Sequence, residues 1–478
     1  MRNVSPFNAL LAVALGIAGI HAATARAAET TAHSSSNDLV ARGEYLAKAG
    51  DCAACHTAPG GEAMAGGLPI DSPFGQIYSS NITPSRTHGI GDYSQAQFAR
   101  AVREGVRADG THLYPAMPYP SYAGITDDDM KALYAYFTQG IEPVDKAPPA
   151  TQLPFPFNQR WLMGGWNLLF AGGKPGAPIN GKNAAWNRGR YLVETLGHCD
   201  ACHTPRNAAM GEKTSLGLSG GQIGPWQAPN ITSDPISGIG AWSHQELVQY
   251  LRTGSVAGKG QAAGGMAEAI EKSLQYLSDD DLSAIAIYLK DSTPVRNPKD
   301  VRPAFQYAGN GEGYEAGLRG HNPGIGLDQP GPGYLALTTG AQLYSGYCAS
   351  CHQTRGEGTP DAAFPSLTHN SVLGRGNADN LVMVILGGAH IDTQGNEQLM
   401  PGFADELDDK QVATLANFVM QHYGNPDAAV TADHVAMLRR GGPNPAAALL
   451  PAMIAAAVLL AFVLAWLARF VARRKRMH

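Results

Sequence analysis

All six cysteines of this 478-residue chain fall into three short motifs, in which two cysteines enclose two residues and a histidine follows. The motifs are Cys52-Ala53-Ala54-Cys55-His56, Cys199-Asp200-Ala201-Cys202-His203 and Cys348-Ala349-Ser350-Cys351-His352. This is the pattern for covalent attachment of haem c, in which both thiols form thioethers with the haem and the histidine binds the iron. A zinc half-site or a redox dithiol would not explain why a histidine follows every pair. The sequence therefore predicts three covalent haems.

A low-spin haem iron that only carries electrons needs a second axial ligand, and a methionine thioether raises its potential relative to a second histidine. Each motif is followed by a methionine in a loop rich in proline or glycine, which can hold the sulfur over a haem face. The predicted iron ligands are His56 with Met117, His203 with Met266, and His352 with Met400.

Two alternatives to this ligation remain. The three methionines could be core residues, which is how we interpret Met64, Met130, Met210, Met383 and Met420. The second ligand could instead be one of the histidines outside the motifs, which are His88, His112, His244, His369, His390 and His422.

Helix signals repeat around the three motifs, which recur at nearly equal intervals. Each motif ends a short helix, and a later helix begins with a capping residue and acids that suit the helix dipole, at Thr126, Ser278 and Asp408. Such repetition indicates tandem units. We predict a mainly α fold of three class I cytochrome c-like domains, over residues 36–146, 186–293 and 338–425, in which the first and last helices pack together.

The two ends of the chain carry targeting and membrane patterns. Arg2, the apolar residues 9–20 and the small-residue site Ala25-Arg26-Ala27 predict a signal peptide over residues 1–27, because the apolar run is short for a membrane anchor. Residues 446–468 carry no charge and are long enough to cross a bilayer, and they are too evenly apolar for a helix that lies on its surface. The basic tail, residues 469–478, predicts a cytoplasmic end, with the body on the periplasmic side of the inner membrane.

The overall charge argues against one class of partner. The net charge is -5 and charged residues make up 16 % of the chain. There is no basic surplus of the kind that binds nucleic acid, so we expect no nucleic-acid partner.

With these features placed, the chain resembles the three-haem cytochrome c subunits of membrane-bound dehydrogenases that oxidise alcohols, aldehydes, sugars or sugar acids at the periplasmic face. The resemblance runs from about Leu39 to the C-terminal anchor. It is carried by Ser80-Asn81-Ile82-Thr83-Pro84, Leu113-Tyr114-Pro115-Ala116-Met117-Pro118-Tyr119 and His203-Thr204-Pro205-Arg206-Asn207. The segments Thr151-Gln152-Leu153-Pro154-Phe155-Pro156-Phe157 and Trp186-Asn187-Arg188-Gly189-Arg190-Tyr191-Leu192 make it more similar to the subunits of flavin-dependent fructose, sorbitol or gluconate dehydrogenases.

The resemblance implies an electron-transfer subunit with no catalytic residue of its own. Its partners would be a catalytic dehydrogenase subunit with a flavin or quinone cofactor, with room for a small third subunit, and ubiquinone in the inner membrane. The resemblance leaves open whether Asn81-Ile82-Thr83 and Asn230-Ile231-Thr232 bond haem propionates or form turns. Alternative functions are the cytochrome subunit of a quinoprotein alcohol dehydrogenase, a c-type haem peroxidase, against which the three methionines argue, and a cytochrome module of a terminal oxidase.

Overall fold

The computed structural model describes residues 37–172, 177–308, 337–360 and 363–444, together with scattered positions between 451 and 469. The described chain is mainly helical, as predicted, and its strands form four two-stranded antiparallel hairpins. We call the stretches around the three cysteine motifs segment 1 (residues 37–146), segment 2 (residues 184–293) and segment 3 (residues 337–439).

Segment 1 contains five α-helices and one hairpin. The helices are α1, whose described part covers 37–49, α2 (Cys52–His56), α3 (Gln95–Glu104), α4 (Tyr119–Tyr122) and α5 (Asp127–Ala135), which continues as a π-helical turn over Tyr136–Gly140. Strands β1 (Pro69–Ser72) and β2 (Gly75–Tyr78) pair with Pro69 opposite Tyr78. Helix α6 (Leu162–Phe170) lies between segments 1 and 2 and has no buried residue.

Segment 2 repeats this arrangement with additional turns. Its helices are α7 (Ala184–Tyr191), which continues as a π-helical turn over Leu192–Leu196, α8 (Asp200–His203), α9 (His244–Thr253), α10 (Gly265–Lys272) and α11 (Asp279–Lys290). Short 3-10 turns cover Thr214–Leu216, Leu274–Tyr276 and, beyond the segment, Ala304–Gln306. The hairpins are β3 (Gly221–Ile223) with β4 (Trp226–Ala228), and β5 (Ser255–Val256) with β6 (Gly260–Gln261).

Segment 3 has a longer hairpin and an extra final helix. Its helices are α12 (Gly340–Tyr347), α13 (Ala349–His352), α14 (Asp379–Gly387), α15 (Asp409–Tyr423) and α16 (Ala432–Arg439). Strands β7 (Ala389–Thr393) and β8 (Asn396–Met400) pair with Ala389 opposite Met400. Because Val435 and Leu438 of α16 are buried, the core of this segment continues past residue 425.

The last helix within each predicted domain (α5, α11 and α15) begins where the sequence places a capping side chain. Thr126, Ser278 and Asp408 each accept a hydrogen bond from the backbone N–H three residues later. Ser94 and Ser243 cap α3 and α9 in the same way. These bonds satisfy N–H groups that have no partner inside the helix, and the predicted starts of the last helices are confirmed.

The first helix of each segment crosses the last helix of the predicted domain (α5, α11 or α15) at a glycine. A Cβ atom on Gly43 would lie 2.0 Å from the carbonyl oxygen of Ala132, and one on Gly189 would lie 1.9 Å from that of Ala284. In segment 3 a Cβ atom on Gly340 would lie 2.4 Å from the Phe418 side chain. The predicted packing of the first helix on the last is confirmed, and it depends on a position without a side chain.

The two largest hydrophobic clusters are one core across segments 1 and 2 and a second core within segment 3, and a smaller cluster packs Ile391 of segment 3 against Ala267 and Ile270 of segment 2. The shared core joins residues such as Leu46 and Leu133 of segment 1 to Leu192 and Ile285 of segment 2. Segment 3 buries its own residues, from Leu343 to Leu438. The division into three domains therefore stays a prediction.

Segments 1 and 2 exchange reciprocal tyrosine–aspartate hydrogen bonds. Tyr45 of α1 donates to Asp281 of α11 at 2.6 Å, and Tyr191 of α7 donates to Asp129 of α5 at 2.7 Å. Each aspartate also accepts from an arginine of its own segment, Arg42 for Asp129 and Arg188 for Asp281. The same tyrosine–aspartate pair therefore occurs twice across the interface, with the tyrosine contributed once by each segment.

The predicted targeting and membrane segments fall largely outside the described residues. These are the signal peptide (1–27), most of the span (446–468) and all of the basic tail (469–478) except Arg469. Within the part of the chain that the structure describes, no helix combines the length and apolar character needed to cross a membrane.

Candidate haem-binding sites

Each cysteine pair lies on a single turn of helix that ends at the motif histidine, in α2, α8 and α13. All six thiols are unpaired, so none is committed to a disulfide. Burial raises the pKa of four of them to about 12, at Cys52, Cys55, Cys199 and Cys348. Among the described residues, no group of three or more His, Cys, Asp or Glu side chains is arranged to hold a metal ion.

The three motif histidines share one hydrogen-bonding arrangement. In each histidine, Nδ1 lies within hydrogen-bonding distance of a backbone carbonyl oxygen. The distance is 2.7 Å from His56 to Ser80, 2.7 Å from His203 to Pro229 and 2.8 Å from His352 to Pro365. A carbonyl can only accept, so Nδ1 carries the proton and Nε2 is left with a free lone pair, the form in which imidazole binds a metal.

Burial keeps these imidazoles in the neutral form. It lowers the pKa of His56, His203 and His352 below the ordinary histidine value, although the carbonyl hydrogen bond opposes the shift in each case. A neutral ring with Nδ1 engaged and Nε2 free matches what axial ligation of haem iron requires. The donor set at each motif therefore fits covalent haem.

A cavity of about 1300 Å³ extends beside the first two motifs. Its wall includes Cys55 of segment 1 and Cys199, Cys202, His203 and Met266 of segment 2. Most of the remaining wall is apolar, and segment 3 contributes Arg375, Asn380 and Val384. A largely apolar space beside paired thiols and a motif histidine is suited to a porphyrin.

The predicted methionine ligands lie in three different settings. Met266, in the first turn of α10, is half-buried and lines the cavity together with His203. Met117 is half-buried in a loop between α3 and α4, and it packs against the core that also contacts Cys52. Met400 ends β8 beside Ala389. The structure brings Met266 and His203 to one cavity, and the ligation itself stays a prediction for all three sites.

Of the residues considered as alternatives to these ligands, Met210 lines the same cavity as Met266, whereas others lie elsewhere. Met130 and Met420 are buried in the helix cores. In the described part of the chain, none of the six histidines outside the motifs that we considered lines the cavity. Two of these histidines bond backbone carbonyls instead, His369 that of Phe305 and His422 that of Phe418.

Two residues that the sequence analysis overlooked line the same cavity. Asp51 and His198 directly precede the first and second motifs, and both have left-handed backbone φ angles, of 51° and 37°. Burial and the nearby charge of Glu268 raise the pKa of Asp51 well above its ordinary value, while burial lowers the pKa of His198 to about 4. The Tyr122 ring meets His198 edge-on, with centroids 5.6 Å apart. The sequence signal that could have identified Asp51 and His198 is a titratable residue directly before each motif.

The Asn-Ile-Thr segments act as turns. Asn81 accepts hydrogen bonds from the backbone and side chain of Thr83, and its amide donates to the carbonyls of Val144 and Lys146. Thr83 also accepts from the Val144 N–H. In segment 2, Asn230 and Thr232 make the matching bonds to each other and to Val295. These polar groups are already engaged by the protein, which favours the turn interpretation over propionate binding.

Comparison with known proteins gives a consistent picture. The cytochrome c family model matches residues 40–140 and 337–422. The fructose dehydrogenase cytochrome subunit of Gluconobacter japonicus is 46% identical over 454 residues, covering 92% of this chain and 91% of that protein. The gluconate 2-dehydrogenase cytochrome c subunit of Pantoea cypripedii is 42% identical, covering 84% and 90%. The cytochrome c subunit of alcohol dehydrogenase (quinone) of Gluconacetobacter polyoxogenes is 41% identical, covering 84% and 85%.

Proposed function

The chain belongs to the family of cytochrome c subunits of dehydrogenases that these relatives represent, and we propose that it carries electrons from a catalytic dehydrogenase subunit to ubiquinone through three covalent haems. The observation that carries the proposal is the repeated donor set, two thiols and a histidine with Nδ1 bonded to a carbonyl, at all three motifs. Bound haem would supply one-electron redox chemistry at each motif. The residues of this chain would attach it, ligate its iron from both faces and exclude water.

The partner that we propose is a flavin-dependent subunit that oxidises a sugar, a polyol or a sugar acid. The names of the relatives support this class, since one serves fructose dehydrogenase and another gluconate 2-dehydrogenase. The relative that serves alcohol dehydrogenase (quinone) is 41% identical, against 46% for the fructose dehydrogenase subunit. A small third subunit is compatible with this assembly.

We further propose that residues 1–27 are an export signal and that residues 446–468 anchor the body on the periplasmic face of the inner membrane. The support is the uncharged run followed by five basic residues. A few residues before the uncharged run, Gly442 packs closely against Gly224 of the β3–β4 turn. The chain thus leaves the folded body beside segment 2, which would bring that segment close to the quinone pool.

The haem count tests the proposal directly. Pyridine haemochrome analysis against protein mass should give three haems c per chain, and the denatured mature protein should contain no free thiol. A stoichiometry of two, or one titratable cysteine pair, would refute the assignment of all three motifs. Reduction of the purified chain by the flavin subunit plus its sugar substrate, but not by sugar alone, would support the proposed direction of electron flow.

A further inference from the structure

Arg375 of segment 3 lines the cavity that extends beside the first two motifs. Arg375 shares the cavity wall with His203 and Tyr250, although it belongs to the turn before α14. The backbone of this turn is fixed, because Asn425 donates to the Arg375 carbonyl at 3.2 Å and Gly374 packs on the carbonyl oxygen of Ala304. A Cβ atom on Gly374 would lie 1.7 Å from that oxygen.

Two polar contacts hold segment 3 against segment 2 on either side of this side chain. The Asn380 amide pairs with both backbone groups of Gln227, accepting from its N–H at 2.9 Å and donating to its carbonyl at 2.9 Å. The backbone N–H of Ser371 donates to the carbonyl of Lys259 at 2.7 Å. Arg375 lies between Ser371 and Asn380 in the chain, so the docking of the two segments positions it at the cavity wall.

Arg375 has a full charge and, among the described residues, no hydrogen-bond acceptor for its guanidinium. Burial lowers the pKa of Arg375, because desolvation disfavours the charged form, and Tyr250 and Asp300 oppose that shift. A guanidinium nevertheless stays protonated in proteins, and its five donors require acceptors. A half-buried cation at a cavity wall, without an acceptor among the described residues, calls for an anionic ligand in the cavity.

We propose that Arg375 binds a propionate carboxylate of the haem attached at Cys199 and Cys202. This inference rests on the proposed haem at that motif, and it adds a residue of another segment to the site. Guanidinium and carboxylate match in geometry and charge, and they pair through two parallel hydrogen bonds. The contact links the second haem to segment 3, and it stabilises the ferrous state, since a nearby positive charge disfavours the extra positive charge of ferric iron.

Spectroelectrochemical titration of the full-length holoprotein tests the proposal. Arg375→Gln should lower one of the three midpoint potentials and leave two unchanged. At a fixed applied potential, the ferrous-to-ferric ratio of that haem should fall about tenfold, which corresponds to about 59 mV for one electron. Arg375→Lys, which keeps the charge, should restore most of the difference. The same titration in the Met266→Ala background identifies the affected haem as the second one.

Two matched variants exclude general effects. Arg302→Gln removes an exposed arginine that lies over the Tyr307 ring, and it should change no potential. Asp300→Asn removes the acid whose charge acts on Arg375, and it should not reproduce the Arg375→Gln shift. A shift with Asp300→Asn equal to that with Arg375→Gln would overturn the proposal in favour of a protein ion pair.

The remaining outcomes also separate this inference from the proposed function. A wild-type chain with fewer than three haems contradicts the proposed function. Three haems with unchanged potentials in Arg375→Gln, or a shift confined to the third haem, contradict the role of Arg375. If the Arg375→Gln variant loses a haem, the Arg375→Lys variant distinguishes the explanations. Three haems at nearly wild-type potentials in Arg375→Lys would support the charge pairing. Loss of the same haem in Arg375→Lys would reject it.

Discussion

The motif histidines receive their Nδ1 partner from different distances along the chain. The carbonyl acceptor lies 24 residues after His56, 26 residues after His203 and only 13 residues after His352. The third segment reaches the same hydrogen bond by a shorter loop, which lacks the Asn-Ile-Thr turn. Different loops therefore give one protonation state of the ring, and this state leaves Nε2 available for iron.

Replacement of the predicted methionine ligands should change one haem at a time. The variants Met117→Ala, Met266→Ala and Met400→Ala should each remove one of the three Met-ligated low-spin signals. Each variant loses the methionine sulfur as a ligand, while the histidine ligand and the cysteine linkages to haem remain. Electron paramagnetic resonance and redox titration would measure this. Met130→Leu, in the core of α5, is the control and should keep all three signals. If a predicted ligand variant also keeps them all, that methionine only packs.

Asp281 should make an acid-sensitive contribution to stability. Burial alone would raise its pKa, but hydrogen bonds from Arg188 and Tyr45 outweigh burial and lower it. A carboxyl with a lowered folded pKa stabilises the protein above the unfolded value of about 3.9, and the contribution is lost as pH falls through the folded pKa. Asp281→Asn should therefore cost about 1–3 kcal/mol near neutral pH.

The gap between Asp281→Asn and wild type should shrink as the solution becomes more acidic than pH about 3.9. Urea unfolding of the holoprotein across a pH series measures it. The exposed Asp280 in the same helix turn supplies the control, Asp280→Asn, which should lie close to wild type throughout. A pH-independent gap would mean that the carboxylate charge is not what stabilises the interface.

Local motifs in the sequence predicted candidate site residues, whereas the contacts between distant segments could not be predicted. The cysteine pairs and histidines were identifiable because haem attachment constrains residues adjacent in the chain. Arg375 was not, since it reaches the cavity of another segment through docking contacts at Gln227 and Lys259. Asp51 was overlooked although it directly precedes a motif, because burial of a carboxyl cannot be read from its neighbours in sequence.

At the scale of elements, the glycine at each helix crossing sets how closely the first and last helices approach. Gly189→Ala should destabilise the protein by about 1–3 kcal/mol or more, because its Cβ atom would lie 1.9 Å from the Ala284 oxygen and the helices would have to separate. Gly165→Ala is the matched control in α6, where a Cβ atom meets nothing within 4 Å. This change should be neutral or stabilising by up to about 1 kcal/mol.

Thermal or urea unfolding of both holoprotein variants measures the difference. Equal stability of Gly189→Ala and Gly165→Ala would show that the helices adjust freely at their crossing. Retention of three haems in both variants is required for the comparison, since loss of haem would itself lower the stability.

Helices with a capping residue and acids in the first turn were predictable, and irregular elements were not. Thr126, Ser278 and Asp408 give strong local signals because they satisfy N–H groups of their own helix. The four hairpins have strands of two to five residues, too short to show an alternating pattern. Helix α6 was missed because it lies on the surface and buries no residue, so it lacks the amphipathic pattern that a packed helix shows.

At the scale of the whole molecule, segments 1 and 2 join through a continuous core, whereas segment 3 meets segment 2 through polar contacts and a small hydrophobic cluster in which Ile391 packs against Ala267 and Ile270. The core contacts and the Tyr45–Asp281 and Tyr191–Asp129 bonds fix the first pair. The second interface includes Asn380 with Gln227. Sequence spacing predicted three repeated units but not this unequal docking, because the docking depends on residues far apart in the chain.

Removal of the C-terminal run should separate electron transfer from membrane attachment. The folded body ends before this run, since the last described core residue of α16 is Leu438 and Gly442 still packs on the body. Truncation before Ala446 should therefore release a soluble protein that keeps three haems and accepts electrons from its dehydrogenase partner. Quinone reduction in membranes should fall, because the haems are no longer held beside the quinone pool.

A second truncation isolates the role of the apolar run from that of the basic tail. Removal of residues 470–478 alone leaves residues 446–468 intact, and under the proposed anchoring the chain should then remain in the membrane fraction, because the uncharged run is long enough to span the bilayer by itself. Cell fractionation, haem stoichiometry and quinone-dependent substrate oxidation would be measured on both forms. If the chain truncated before Ala446 supports quinone-dependent oxidation at the full rate, the dehydrogenase partner must provide the attachment. The apolar run would then be dispensable, and the proposed anchor would be wrong even with electron transfer intact.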